Sequence, residues 1–192
     1  MNRLVLVLMA CVLLMSCCFA AAAQDDKSGS KKKPQKFYHN ANIETSYDKE
    51  KDETKVELKR MSVSVVTFPN DPQLHLTAYF TYAGKNRSKP ESVVLGFVAF
   101  SINHVWKFKE DRELVAMLGD EKLKLGSAEL LDSSNKSDYV KEVMAMYVPF
   151  DAFVRIVNFD QNRVNLQLGN VKFELKKNEL EALRDLASRA EP

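Results

Sequence analysis

Ser92-Val93-Val94-Leu95-Gly96-Phe97-Val98-Ala99-Phe100 is the stretch whose reading decides the fold. Beyond the N-terminus it is the only long run that is apolar in both phases of a two-residue repeat. In an extended chain Val93, Leu95, Phe97 and Ala99 point one way, while Val94, Gly96, Val98 and Phe100 point the other. Its β-branched residues and phenylalanines, starting two residues after Pro90, favour a strand over a buried helix. A strand apolar on both sides is expected at the centre of a sheet system, covered on both faces.

Upstream, Leu74, Leu76, Ala78, Phe80 and Tyr82 fall on one face of a long strand, with His75, Thr77, Tyr79 and Thr81 on the other. This strand is the expected antiparallel partner of the central one. The polar, basic loop 83–90 joins them, and Pro69-Asn70-Asp71-Pro72 marks a turn before them. Further upstream, Ile43–Tyr47 and Thr54–Leu58 read as short strands linked by 48–53. After Leu58 the next apolar residues are Met61, Val63 and Val65, a phase slip that predicts a bulge or a change of sheet.

Downstream, Val105–Phe108 reads as a short strand carrying the only tryptophan, Trp106. Leu114–Leu118 and Lys122–Leu125 flank Gly119-Asp120 as a hairpin, 131–138 reads as a polar loop, and Tyr139–Val148 as a strand. Pro149 admits a short helix to Val157, since proline is tolerated in a first turn. Val164, Leu166, Leu168 and Val171, Phe173, Leu175 alternate about Gly169-Asn170. Asn178, with Glu181 three residues on, is the expected cap of a last helix striped by Leu180, Leu183, Leu186 and Ala187.

Some ten strands without β–helix–β alternation predict a mainly β fold. The expectation is an antiparallel β-sandwich, with a partly open β-barrel as the alternative, one short helix near 149–157 and a C-terminal helix near 179–190.

The first residues read as an export signal. Arg3 precedes the apolar run Leu4–Leu14, and Ala21-Ala22-Ala23 offers a cleavage site. Residues 1–23 are thus expected to be a signal peptide, 24–40 a disordered basic linker containing Lys31-Lys32-Lys33, and 41–192 a single domain. Leu14-Met15-Ser16-Cys17 also resembles a lipoprotein box, which would make Cys17 the lipidated residue. An uncleaved anchor over Leu4–Ala23 is the third reading. The chain is expected to be exported and periplasmic, outer-membrane-attached or secreted. Membrane contact is then limited to the leader or a lipid anchor.

All three cysteines, Cys11, Cys17 and Cys18, lie in the leader, so a cleaved chain carries no disulfide, thiolate nucleophile or Cys-ligated metal. The net charge of +2 gives no field suited to nucleic acid. His39, His75 and His104 stand at no metal-ligand spacing. Asp48, Glu50 and Asp52 start like a calcium loop, but Glu53 and Lys59 replace the required Gly and Glu. No G-x-S-x-G or S-x-x-K occurs, the six glycines form no phosphate loop, and no cofactor is implied. Asn86-Arg87-Ser88 and Asn135-Lys136-Ser137 match the glycosylation pattern.

The best binding candidate is the strand face His75, Thr77, Tyr79 and Thr81 with Lys85 and Arg87 of the adjacent loop, and Trp106. Aromatic and hydroxyl groups beside basic ones suit a carbohydrate, peptide or protein partner. The expectation is an exported, non-enzymatic binding or structural module of the envelope or secreted space. The alternative is a secreted hydrolase whose residues converge only in the fold.

Overall fold

The computed structural model describes residues 36–66, 72–102, 105–136, 138–160 and 162–190. Ten strands alternate with few interruptions: β1 Ile43–Asp48, β2 Glu53–Val65, β3 Gln73–Ala83, β4 Ser92–Ile102, β5 Glu113–Leu118, β6 Glu121–Ser127, β7 Glu129–Asn135 and β8 Tyr139–Pro149 come first. Helix α1, Phe150–Phe159, then precedes β9 Arg163–Leu168, β10 Val171–Lys176 and helix α2, Lys177–Ser188. The fold is mainly β and antiparallel, with one short and one C-terminal helix.

The sandwich and the barrel resolve into one continuous sheet, ordered β6-β5-β9-β10-β2-β3-β4-β8-β7, with β1 beside the first half of β2. It curls into a half-barrel. Its two outermost strands are consecutive in sequence, joined only through Ala128. Arg112 holds that corner: its carbonyl accepts from Ala128 N–H at 2.9 Å, and its Nε donates back to the Ala128 carbonyl at 3.0 Å.

Strand β4 lies between β3 and β8, in the register Leu95 opposite Ala78 and Met146. Its inner residues Val93, Leu95, Phe97 and Ala99 are buried. They are covered by the helices, whose buried faces are Phe150, Phe153, Ile156 and Val157 on α1, and Leu180, Leu183 and Leu186 on α2. Phe97 meets Phe173 edge to face at 6.0 Å, and Phe80 meets Phe150 at 6.1 Å. The core leaves an apolar void of only about 20 Å³, lined in part by Leu76, Phe97, Phe153 and Phe173. Arg184 of α2 is buried and donates to the Val157 and Asp160 carbonyls, so one helix caps the C-terminal end of the other.

Among the described residues no second layer lies over the outer face of β4. Val94 and Phe100 are instead screened by neighbours on their own face: Val94 flanked by Tyr79, and Phe100 with the Arg60 guanidinium 5.2 Å from its ring. Gly96 lets Thr77 sit against the strand, since a Cβ there would stand 2.4 Å from Thr77 Oγ1. Cover on this face therefore comes from long side chains, not from a second sheet.

The phase slip after Leu58 is a register shift in the β2–β3 ladder, between Leu58 and Met61. Across it β2 leaves β1, whose pairing ends at Leu58, and joins β10 at Ser64 and Val65. Gly119 and Gly169 turn the two expected hairpins at φ 65° and 54°.

Three expectations need correction. Residues 105–108 form no strand: Phe108 is buried, and buried Glu142 accepts from the Lys107 and Phe108 N–H groups at 2.9 and 3.0 Å. Phe108 alone of this run enters the end of the core, while Val105 and Trp106 stay exposed. The expected loop 131–138 contains most of β7, an edge strand paired on one side only, so its sequence shows no apolar alternation. Asn178 lies inside α2; Glu179 accepts from Lys176 N–H at 3.0 Å, and Asn178 Oδ1 accepts from Asn40 N–H. The leader, Cys17 and the linker to 35, the turn residues 69–71, His104 and Ser137 lie outside the described residues.

Candidate functional site

The outer face of β3 and β4 carries a trough of about 570 Å³. It forms because the β3–β4 ladder ends at Tyr79–Val94, after which the strands part toward loop 84–91. One row of paired residues crosses four strands there: Glu57 opposite Tyr79, Tyr79 opposite Val94, Val94 opposite Tyr147. The two tyrosines thus stand two strand spacings apart, roughly 10 Å at the backbone, with Val94 as floor between them. Thr81 and Ser92 supply hydroxyls, and Asp52, Glu53 and Glu91 line the rim with Lys51.

Tyr79 is half-buried, and Lys55 Nζ lies 4.4 Å from its ring centroid. Burial raises its phenol above the ordinary value, helped by Tyr147 and by the Glu57 and Glu53 charges, so it remains a hydroxyl donor. Tyr147 is 73% exposed. The site therefore pairs a fixed aromatic ring with an open one.

The sequence-predicted residues divide into four groups. Tyr79 and Thr81 line the trough. His75 and Thr77 share their face but are engaged: His75 Nδ1 lies 3.1 Å from Ser62 Oγ, with its ring edge-on to Phe100 at 5.9 Å, and Thr77 Oγ1 donates to the Gly96 carbonyl. Burial lowers the His75 pKa, and the Arg60 charge lowers it further, so this ring is neutral near pH 7. Lys85 turns to the Tyr47 ring at 4.8 Å, Lys89 pairs with Asp151 at 2.6 Å, and Arg87 is exposed. The trough is consequently lined more by carboxylates than by the basic loop.

Trp106 belongs elsewhere. Tyr79 pairs with Val94 near the start of β4, whereas Trp106 follows the end of that strand at Ile102. The neighbouring Lys107 N–H is bonded to Glu142, the strand partner of Ala99, so some five residues of strand, about 16 Å at ~3.3 Å each, separate the two regions. Tyr147, Val94 and Glu91 were not singled out by sequence. The outward phase of Tyr147 beside Val148 was readable, but its position two strands from Tyr79 was not.

The fold assembles two further polar clusters, and both serve structure. His39 Nε2 lies 3.1 Å from Asp185 Oδ2, and Arg189 donates to both oxygens of that carboxylate. Burial raises the Asp185 pKa, but the Arg189 and His39 hydrogen bonds outweigh it and hold the carboxyl below its usual range. His39 Nδ1 is buried without a partner among the described residues, so this His–Asp pair addresses no nucleophile. The acidic turn is likewise occupied: Asp48 accepts from the Glu50 and Lys51 N–H groups, and Asp52 accepts from Tyr47 O–H at 2.7 Å. Among the described residues no group of three or more His, Cys, Asp or Glu side chains is placed to hold a metal.

Comparison with family models, curated proteins and solved structures finds no match for this chain.

Proposed function

We propose that the chain is an exported, non-enzymatic binding module of the cell envelope or secreted space, and that it holds a carbohydrate in the Tyr79–Tyr147 trough. The observation that carries this reading is the row Tyr79–Val94–Tyr147: two aromatic rings flanking an apolar floor, on strands whose register fixes their spacing. Ring faces suit the apolar face of a sugar, and Thr81, Ser92 and the rim carboxylates offer partners to its hydroxyls. Support also comes from what the other titratable groups do, since Glu142, Asp185 and Asp48 are spent on backbone or side-chain donors within the fold.

The test is an NMR titration of the isotopically labelled protein with chitohexaose, and separately with a lysine-rich decapeptide. The expected result is saturable shifts at Tyr79, Thr81, Val94 and Tyr147 with the oligosaccharide, lost in Tyr147→Ala. Shifts with the peptide alone would replace the carbohydrate reading by a peptide one. Shifts with neither, or only far from the trough, would contradict this use of the site.

A further inference from the structure

The opposite half of the sheet carries a second trough, of about 610 Å³, on the outer face of β5, β6, β9 and β10. Two rows of paired residues make it. One runs Lys124, Val115, Gln167, Lys172; the next runs Lys122, Met117, Asn165, Glu174. Val115 and Met117 give an apolar floor, Asn165 and Gln167 give side-chain amides, and lysines stand on both sides. Lys124 and Lys172 are three strand spacings apart, roughly 14 Å at the backbone. Lys124 is paired with Glu113 at 3.1 Å, whereas neither Lys122 nor Lys172 has an ion-pair partner among the described residues. Three ammonium groups, Lys122, Lys124 and Lys172, against the carboxylates Glu113 and Glu174 leave this trough net basic, where the tyrosine trough is acidic.

We infer that this trough is a second binding site, for a linear anionic polysaccharide bearing carboxylate or sulfate groups. Charge complementarity selects the anion: two lysines without ion-pair partners on opposite walls suit charges repeated along a chain. The sheet selects the polymer class. The floor strands β5 and β9 are laddered on both sides, so a peptide lying across the floor finds no main-chain partner there, and the one open edge is that of the β6 wall. Recognition falls to side-chain amides and ammonium groups, which suit hydroxyls and anionic substituents. The recess is concave, so it fits a chain better than the flat surface of a bilayer.

Calorimetric titration of the protein with hexagalacturonate and with a heparin hexasaccharide, at low and high salt, tests the inference. The expected result is salt-sensitive binding of at least one, weakened ten-fold or more in Lys122→Glu/Lys172→Glu. Both substitutions are at exposed positions, and an unchanged melting temperature will show that the fold survives. Chitohexaose binding at the tyrosine trough serves as an internal control and is expected to be unaffected, so the two sites fail or stand separately. No binding of either anionic probe, or equal binding by the double variant, would overturn the inference. So would a poly-glutamate peptide that binds as tightly, or a salt-sensitive self-association lost in the variant, which would give the trough to an acidic peptide or to a second copy.

Discussion

The two faces of β4 are nearly matched in composition and opposite in circumstance. Val93, Leu95, Phe97 and Ala99 lie beneath two helices, while Val94, Gly96, Val98 and Phe100 face outward with only same-face neighbours around them. A strand apolar on both sides therefore does not require two covering layers. Tyr79 and Arg60 are long enough, and Thr77 close enough over Gly96, to shield the outer row while leaving a trough where the ladder opens. The inner face sets stability, and the outer face carries the trough.

The sharpest way to break this comparison is to truncate each face in turn. Phe97→Ala is expected to lose about 3–5 kcal/mol, because a ring fully buried against Phe173 leaves a cavity, whereas Val98→Ala should lose about 1 kcal/mol. Denaturant unfolding measures both, and equal losses would mean that the two faces are covered alike. Next in size is Arg184→Ala, expected to destabilise by about 2–3 kcal/mol, since it strands the Val157 and Asp160 carbonyls under the inner cover.

Gly96→Ala sharpens the outer face. A methyl group there collides with Thr77 Oγ1, so a loss of about 1–3 kcal/mol is expected, and adding Thr77→Ala should restore most of it. A loss that Thr77→Ala leaves untouched would place the strain elsewhere. Asp185 supplies a pH test. Its folded pKa is depressed, so its stabilising contribution is complete above the unfolded carboxylate pKa of about 3.9 and is lost as pH falls through the folded value. Midpoints measured between pH 6 and pH 3 should fall less steeply in Asp185→Asn. The smallest stability effect is expected for Tyr147→Ala, under about 0.5 kcal/mol because the ring is exposed, together with loss of the proposed ligand.

The sequence carried the fold class, the central strand and the bulge, because each leaves a period-two signature or a break in one. It also carried both glycine hairpins, where a positive φ demands the residue. What it hid was pairing. β7 is an edge strand with little buried surface, so its residues have no reason to alternate, and of the apolar Val105–Phe108 run only Phe108 is buried, at an end of the core. Half of the tyrosine trough was legible, as Tyr79 and Thr81 on one strand face. Of the other half, Glu91 enters at the start of the expected partner strand, whereas Tyr147 arrives from distant sequence through strand order. Residue type alone groups Trp106 with Tyr79, and the length of β4 keeps them apart.

The central claim is that one curled sheet packs inward on its own helices and leaves its outer face open. Solvent paramagnetic relaxation, recorded with a soluble gadolinium chelate, tests it most directly. Strong attenuation of Tyr79, Val98 and Tyr147 resonances beside protected Val93, Leu95 and Phe97 is the predicted result. Equal protection of both sets would mean that a second layer covers the outer face and would contradict the account.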